Sequence, residues 1–344
     1  MGTRYLGGYI TATEQTPSSS SATGVWDLRT HSKELVAETW QNPSPPGRAL
    51  FFGGYPRANV IDFFDIATTG NATDFGDLST NAVYTGACGS STRAVRGGGS
   101  ADGSVGSNME TMDYVTIGST GNAQDFGDLT TDRYRGDDGF SSSTRGIFGG
   151  GINESSTSLN VIEYITISST GNGTDFGDLG AANFDPASFC SSTRGVFAGG
   201  QAEPGPSTTN IVQYITIGST GNTTDFGDLS SATQSFAGCS SSTRGLVGGG
   251  SPAASQGAGP IEYFTIASTG NATDFGDLTV ARSFLGSTSS SSRGVWGGGF
   301  AGISTLNQID FVTIASTGNA SDFGDLTVAG NGMRATSASH GGLQ

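Results

Sequence analysis

The twelve residues ASTGNATDFGDL (267–278) occur, with small changes, six times along the chain. Their Gly-Asn pairs begin at residues 70, 121, 171, 221, 270 and 318, so the spacing is 48 to 51 residues. Two other phrases share this period: a run that ends in a glycine doublet, such as SSTRGVFAGG (191–200), and an apolar run, such as IEYITI (162–167). A repeat of about 50 residues indicates a β-propeller or a solenoid.

Each repeat is predicted to contain four strands. In the sixth repeat these are A in ARSFLGSTS (281–289), B in RGVWGGG (293–299), C in QIDFVTI (308–314) and D in the short DFGDL (322–326). Side chains alternate between the two faces of a strand, so Ile162 and Tyr164 lie on one face of strand C and Ile165 and Ile167 on the other. Both faces are apolar, as expected for a sheet packed between two neighbouring sheets. This pattern favours the propeller.

The two ends of the repeat region complement each other. No strand A precedes Arg48, because NPSPPG (42–47) has the composition of a loop, whereas the tail GMRATSASHGG (332–342) has the character of a lone strand A. Pairing of the tail with Arg48–Gly54 would remove two open sheet edges. The sequence therefore predicts an all-β, six-bladed β-propeller over residues 47–344. Each blade has four antiparallel strands, the C-terminal strand closes the ring, and residues 1–46 form a short N-terminal extension.

Composition limits the possible partners and cofactors. The formal charge is −15, with 30 acidic and 15 basic residues, which disfavours binding to nucleic acid and to anionic lipid. The three cysteines and two histidines form no CxxC or Cys/His cluster, so we predict no transition-metal site and no cofactor. The chain has neither an apolar run of about 18 residues nor a signal-peptide pattern, which predicts synthesis in a cytoplasm without membrane insertion.

The recurring DFGD of strand D could serve chemistry or architecture. Gly270 and Asn271 suit the left-handed conformations of a tight turn, and Phe275 is expected to be the outer apolar anchor of the blade. A structural calcium site is the alternative, although the oxygen-bearing side chains are not spaced as in a DxDxDG loop. A kinase function is excluded, because the chain has neither a Gly-rich phosphate loop nor an HRD sequence.

One cation also recurs in each repeat: Arg48, Arg93, Arg145, Arg194, Arg244 and Arg293. Strand D carries two aspartates in every repeat, so we predict that each arginine pairs with an aspartate of its own or the adjacent blade. The alternative is a solvated cation at the rim, where an exposed ion pair adds little stability.

The two ends of the predicted ring differ in sequence. In an up-and-down blade the A–B and C–D turns share one end, and the B–C and D–A turns share the other. The A–B and C–D turns are nearly the same in every repeat, whereas the B–C loops all differ. Loops on a rigid scaffold commonly carry specificity. We therefore predict that a ligand binds at the varied end, with the anchors Tyr55, Arg57, Asp102, Glu154, Glu203 and Phe300. The alternative is that these loops only tolerate variation.

The N-terminal extension is too apolar for a free tail, because it carries Trp26, Leu28, Leu35 and Trp40. The segment THSKELVAETW (30–40) is compatible with a short helix. We predict that the four apolar residues dock into another subunit, because the Ser-rich stretch at 18–23 has the composition of a flexible connector. Packing on the outer side of the propeller is the alternative.

The order of a glycine doublet, an aromatic residue in the next strand, a polar turn and a short fourth strand resembles the kelch repeat. The resemblance covers residues 48 to about 340, with the doublets Gly53-Gly54, Gly98-Gly99, Gly149-Gly150, Gly199-Gly200, Gly249-Gly250 and Gly298-Gly299 and the aromatics Phe63, Tyr114, Tyr164, Tyr214, Tyr263 and Phe311. Strand D departs from the kelch pattern, since it carries Phe where kelch units carry Trp. The near-identical repeats and their GVW-containing leader also resemble virion proteins of marine and cyanobacterial tailed phages.

These resemblances imply a virion protein that contacts other virion proteins, within a homo-oligomeric assembly, and binds a host-surface glycan or protein through its varied loops. No catalytic residue is assigned. Nothing singles out one facing carboxylate pair for glycoside hydrolysis, and the two histidines lie in the leader and near the C-terminus, away from any triad. A sialidase-like glycan hydrolase and a purely structural tail or capsid component remain the alternatives.

Overall fold

The computed structural model describes residues 47–56, 59–203, 207–252 and 258–339, all within the compact unit Ser44–Gln344. In these residues the only helical segment is the 3-10 helix Val105–Ser107. The strands, in chain order, are β1 Arg48–Phe52, β2 Val60–Asp65, β3 Thr73–Asp77, β4 Gly86–Gly89, β5 Arg93–Gly97, β6 Met109–Thr116, β7 Gln124–Arg133, β8 Phe140–Ser141, β9 Arg145–Gly149, β10 Val161–Thr166, β11 Thr174–Asp178, β12 Asn183–Phe184, β13 Ala187–Cys190, β14 Arg194–Ala198, β15 Gln201–Ala202, β16 Ser207–Thr208, β17 Ile211–Thr216, β18 Thr224–Asp228, β19 Thr233–Gln234, β20 Ala237–Ser240, β21 Arg244–Gly248, β22 Ser251–Pro252, β23 Ala258–Thr265, β24 Thr273–Arg282, β25 Gly286–Ser289, β26 Arg293–Gly297, β27 Phe300–Ala301, β28 Ser304–Thr313, β29 Ser321–Gly330 and β30 Arg334–Ser337.

The main strands form antiparallel sheets of four strands, one for each repeat. In the order A, B, C, D these are sheet 1 (β30, β1, β2, β3), sheet 2 (β4 to β7), sheet 3 (β8 to β11), sheet 4 (β13, β14, β17, β18), sheet 5 (β20, β21, β23, β24) and sheet 6 (β25, β26, β28, β29). The short strands β12, β15, β16, β19, β22 and β27 belong to the connections between them. The predicted all-β, propeller-like class is therefore confirmed.

The C-terminal strand belongs to sheet 1, although the rest of that sheet comes from the start of the repeat region. β30 runs antiparallel to β1, with Ala49 opposite Ser337 and Phe52 opposite Arg334. This is the pairing that the tail sequence predicted. It places β1 between two partners, so that β1 has no open edge.

The apolar core lies between neighbouring sheets. Ile162 packs in one cluster with Ile215 of sheet 4, whereas Ile165, three residues further along strand C, packs in another cluster with Met112 of sheet 2. The prediction that strand C buries both of its faces is confirmed. Each sheet pairs in this way with the sheets before and after it, and the residues of sheet 6 share a cluster with Phe51 of sheet 1.

The DFGD phrase is the outer edge of each sheet, and the next sheet covers it. In sheet 2 the Phe126 and Asp128 carbonyls accept hydrogen bonds from Gly171 N and Gly173 N, at 2.8 and 2.7 Å, in the C–D turn of sheet 3. The side chain of Asn172 completes the contact, since its Oδ1 accepts from Asp128 N at 3.1 Å. The same asparagine bond, at 3.0–3.1 Å, occurs between each sheet and the next, including sheets 6 and 1.

The glycine of DFGD is required by this contact. Gly127 has φ +137°, and a Cβ there would lie 2.6 Å from the carbonyl oxygen of Gly171. The asparagine of the turn acts differently from the prediction, because its backbone is not left-handed in any described repeat. Its side chain, not its backbone, makes the turn specific. The twelve-residue phrase therefore joins one sheet to the next, and Phe275 lies buried beneath it as predicted.

The recurring arginines do not pair with aspartates, so that prediction is wrong. Arg194 Nη1 donates to the carbonyl oxygen of Ile266 in the next sheet at 2.8 Å, and its guanidinium lies 4.3 Å from the ring centre of Tyr214 in its own sheet. The six carbonyl bonds span 2.7–3.0 Å. Within the described residues none of these arginines forms a salt bridge. The reason is geometric: strand B meets the end of the neighbouring strand C, whereas the aspartates lie on the outer strand D.

Candidate binding face

The B–C loops and the D–A turns lie at the same end of the sheets, as the topology predicted. In every sheet a residue near the start of the B–C loop pairs with a residue of the D–A turn, a few positions before strand A. The pairs are Tyr55 with Asn331, Ser100 with Val83, Ile152 with Tyr134, Gln201 with Phe184, Ser251 with Gln234 and Phe300 with Ser283. This end, which we call the varied end, is thus built from six different loops on one repeated frame.

The structure places the predicted anchors in different environments. Tyr55 is 57% exposed, whereas Phe300 is half-buried against its own hairpin, opposite Thr305. Arg57 lies outside the described residues, as do Trp26, Leu28, Leu35 and Trp40 of the leader.

The three predicted acidic anchors make different local contacts, within a loop or with a neighbouring segment. Asp102 Oδ1 accepts from Ser104 N at 2.9 Å and from Ser104 Oγ at 2.6 Å, and these hydrogen bonds lower the pKa of its carboxyl group. The Glu154 amide donates to Asp132 Oδ2 at 2.6 Å, and Glu203 Oε1 accepts from the Ser158 hydroxyl at 3.2 Å. These contacts hold the loops in place, and they do not bring the three carboxylates together into one site.

The centre of the varied end carries a hydrogen-bonded ring that the sequence analysis missed. Six backbone amides donate in turn to the carbonyl of the equivalent residue in the preceding repeat, at 2.6–3.2 Å, through Tyr84, Arg135, Asp185, Ser235, Phe284 and Gly332. All six residues are left-handed, with φ between +55° and +69°. Such a conformation is unusual for tyrosine or phenylalanine, and strain of this kind is concentrated at functional sites.

The side chains of this ring, which we call the axial mouth, cover the centre of the face. Arg135 donates from Nε to Asp185 Oδ2 at 2.8 Å, and its guanidinium lies 5.2 Å from the ring centre of Phe184 and 5.5 Å from that of Phe284. Tyr84 packs edge-on against Phe284 at 5.4 Å. The Arg135 side chain remains 22% exposed, so a cation bordered by aromatic rings faces solvent.

The electrostatics of the mouth keep Arg135 charged. Burial opposes the charged form, but the carboxylate of Asp185 and its hydrogen bond raise the pKa of the guanidinium. Asp185 itself is fully buried and also accepts from the Ser235 hydroxyl at 2.7 Å. The mouth therefore offers one fixed positive charge and partly exposed aromatic surface within an otherwise acidic protein.

Towards the opposite end of the sheets, hydroxyl groups at the ends of the A strands join neighbouring sheets. Ser240, Ser289 and Ser337 each donate at 2.7 Å to a carbonyl of the preceding sheet, and Ser141 does so at 2.6 Å. The A strands line a partly open cavity of about 30 Å³ beside these residues, which has room for ordered water.

The buried acids of strand C have structural partners. Glu163 accepts from Arg133 Nη2 at 2.7 Å and from Thr130 N at 2.8 Å, in the preceding sheet. Asp310 is likewise ion-paired with Arg282 of the preceding sheet, whereas Asp113 pairs with Arg96 of its own sheet and accepts from the Ser79 hydroxyl, which follows strand D of the preceding sheet. These residues connect sheets, and they are not arranged as two carboxylates facing each other across a cleft. Within the described ranges no group of three His, Cys, Asp or Glu side chains could hold a metal ion.

Searches of family models and of curated proteins found no match to this chain. In the part of the chain that the structure describes, no helix has the length and apolar character needed to cross a membrane.

Proposed function

We propose that residues 47–344 form a closed six-bladed propeller and that the chain is a phage virion adhesion protein without enzymatic activity. Closure is supported by two sets of contacts that run through all six repeats and continue from the last repeat to the first. The Asn71 side chain of sheet 1 binds Asp325 N of sheet 6, as every other turn asparagine binds the sheet before it. The axial hydrogen bonds return in the same way from Gly332 to Tyr84.

The varied end is the proposed binding face, and the axial mouth is its centre. One observation carries this assignment: six positions with the same backbone conformation and the same hydrogen bonds hold six different residues. At the turn asparagine and the strand B arginine, which also join the sheets, all six repeats carry the same residue. A mouth with a charged Arg135 next to Tyr84 and Phe284 combines aromatic surface with directional donors, as in sites that recognise glycans or protein loops.

The virion assignment rests on the resemblance of the repeats and leader to tailed-phage proteins. In this proposal Trp26, Leu28, Leu35 and Trp40 dock onto a neighbouring virion subunit, and the ring presents its varied end to a glycan or protein of the host surface. Apolar anchors on a short segment and a rigid, acidic ring are compatible with those two separate tasks.

Two variants test the proposal. The full chain carrying both Arg135→Met and Phe284→Ala is expected to lose at least tenfold in binding to an array of bacterial surface polysaccharides and outer-membrane proteins. Thr68→Ala, in an exposed turn of the opposite end, is the matched control and should bind like the unmodified chain. Equal binding by the double variant would refute the mouth as the site.

Removal of residues 1–46 should abolish incorporation into particles, and normal incorporation would refute the docking role.

A further inference from the structure

The third repeat contains one residue more than the others at the centre of the ring. Ten residues separate Arg135 from Arg145, whereas nine separate Tyr84 from Arg93 and the equivalent pairs of repeats four to six. The additional residue falls within Asp137-Asp138-Gly139, immediately before β8. Gly139 has φ +79°, and a Cβ there would overlap the backbone of Ala87 in sheet 2, so the insertion is packed against its neighbour.

The insertion lets Asp138 contact four other sheets. Its carbonyl oxygen accepts from Ala87 N of sheet 2 at 2.7 Å. Its Oδ2 accepts from Gly238 N of sheet 5 at 2.9 Å and from Ser188 N of sheet 4 at 3.3 Å. Its Oδ1 lies 2.8 Å from Arg334 Nε, on the C-terminal strand of sheet 1. One cation and two backbone N–H donors thus stabilise the negative charge of Asp138.

Asp137, its neighbour in sequence, has no salt bridge among the described residues. The residue is only 1% exposed. Its Oδ1 accepts from Gly149 N at 2.8 Å and the amide of Gly139 also favours its charged form, but no described group hydrogen-bonds to Oδ2 within normal geometry. The nearest cation that acts on it, Arg133, is already engaged by Glu163. Of these two adjacent buried carboxylates only Asp138 is ion-paired, with Arg334, and two like charges in such a site favour a proton on one of them.

We propose that Asp137 and Asp138 form a proton-controlled switch at the centre of the ring, in which a proton on the poorly compensated Asp137 stabilises the fold and its loss destabilises it. The switch is a property of the packing around the axis, so it does not depend on the proposed function.

The other charged and titratable groups near the pair do not change their charge in the pH range in which Asp137 does. They are Arg133, Arg135, Arg334, Asp185, Tyr84, Cys88 and Cys239. Burial raises the pKa of Tyr84 and of both thiols, which keeps these groups neutral. Burial also raises the pKa of Asp137 to about 7 and that of Asp138 to about 6, against a usual value of 3.8, with the neighbouring carboxylates adding to both shifts.

The sign of the pH dependence follows from these directions. A carboxyl group whose pKa is higher in the folded than in the unfolded chain binds its proton more tightly in the folded state, so stability is full below about pH 4 and falls as the pH rises to 7. For Asp137 alone, the unfolding equilibrium constant should increase on the order of fiftyfold between pH 5 and pH 7. Above pH 7 the effect levels off.

The test is denaturant-induced unfolding of the full chain between pH 5 and pH 8.5, for the unmodified protein and for Asp137→Asn. The amide has no proton to lose, so the variant should lose this roughly fiftyfold change, whereas Asp102→Asn at the surface should keep it. Identical pH profiles for the unmodified chain and Asp137→Asn would overturn the proposal. If Asp137→Asn does not fold, infrared difference spectra of the unmodified folded chain decide. A protonated carboxyl band that disappears near pH 7 supports the switch, and its absence overturns it.

Discussion

Replacing Arg194 with alanine measures how strongly the recurring arginines hold neighbouring sheets together. The change removes a charge-assisted hydrogen bond of 2.8 Å to the Ile266 carbonyl and a cation–π contact with Tyr214 at 4.3 Å. Such a hydrogen bond contributes roughly 1.5–3 kcal/mol and an exposed cation–π contact about 0.5–1 kcal/mol. Because the side chain is only half-buried, we expect a total loss of about 2 kcal/mol. In a ring of this size that lowers Tm by roughly 4 °C.

Calorimetry and urea unfolding at low and high salt distinguish this contact from an ion pair with an aspartate. At about 1 M salt the screening length is only ~3 Å, so an exposed ion pair would lose its effect, whereas the carbonyl and ring contacts should keep theirs. Arg194→Lys is the matched control. It preserves the charge but not the planar fork, and should lose about half as much. A change in Tm below about 1 °C for Arg194→Ala, or a loss that vanishes at high salt, would contradict the assigned contacts.

Two further predictions concern the joints between sheets. Gly177→Ala places a Cβ 2.5 Å from the backbone of Gly221 at φ +146°, so we expect a loss of at least about 3 kcal/mol in urea unfolding, whereas Gly218→Ala, with open space around it, should be nearly neutral. Equal effects at the two sites would contradict the close approach of the sheets. Deletion of residues 334–344 removes β30 and exposes the edge of β1, so gel filtration should show association into larger species. A stable monomer with unchanged Tm would refute closure by the C-terminal strand.

The sheet arrangement could be predicted because it depends on residues that recur. The glycine doublets, the two apolar faces of strand C around Ile162 and Ile165, and the unused strand in the tail all have sequence signatures. The role of Arg194 could not be predicted in the same way. Its acceptor is a backbone carbonyl, which every residue possesses and no sequence pattern marks. The charge of the arginine therefore favoured the prediction of an aspartate partner.

The axial mouth escaped prediction for the opposite reason. Its residues differ from repeat to repeat, so nothing in the sequence distinguishes Tyr84 and Arg135 from ordinary loop residues. What recurs there is a backbone conformation and a fixed distance to the next arginine. The one-residue insertion at Asp138 shifts even that distance. Its partners, Gly238 N and Arg334, lie about 100 and 200 residues further along the chain, and no local pattern links them.

The contact between Asp138 and Arg334 limits how far the repeats are interchangeable. Replacing the third repeat by a consensus unit would remove the inserted residue and leave Arg334 buried without a counter-ion, and replacing the strand that carries Arg334 would leave the Asp138 carboxylate without its cation. An engineered version with perfect rotational symmetry would therefore have to exchange both residues together. The units are nearly equal in sequence, yet the single ion pair between the inserted residue and the C-terminal strand makes their order matter.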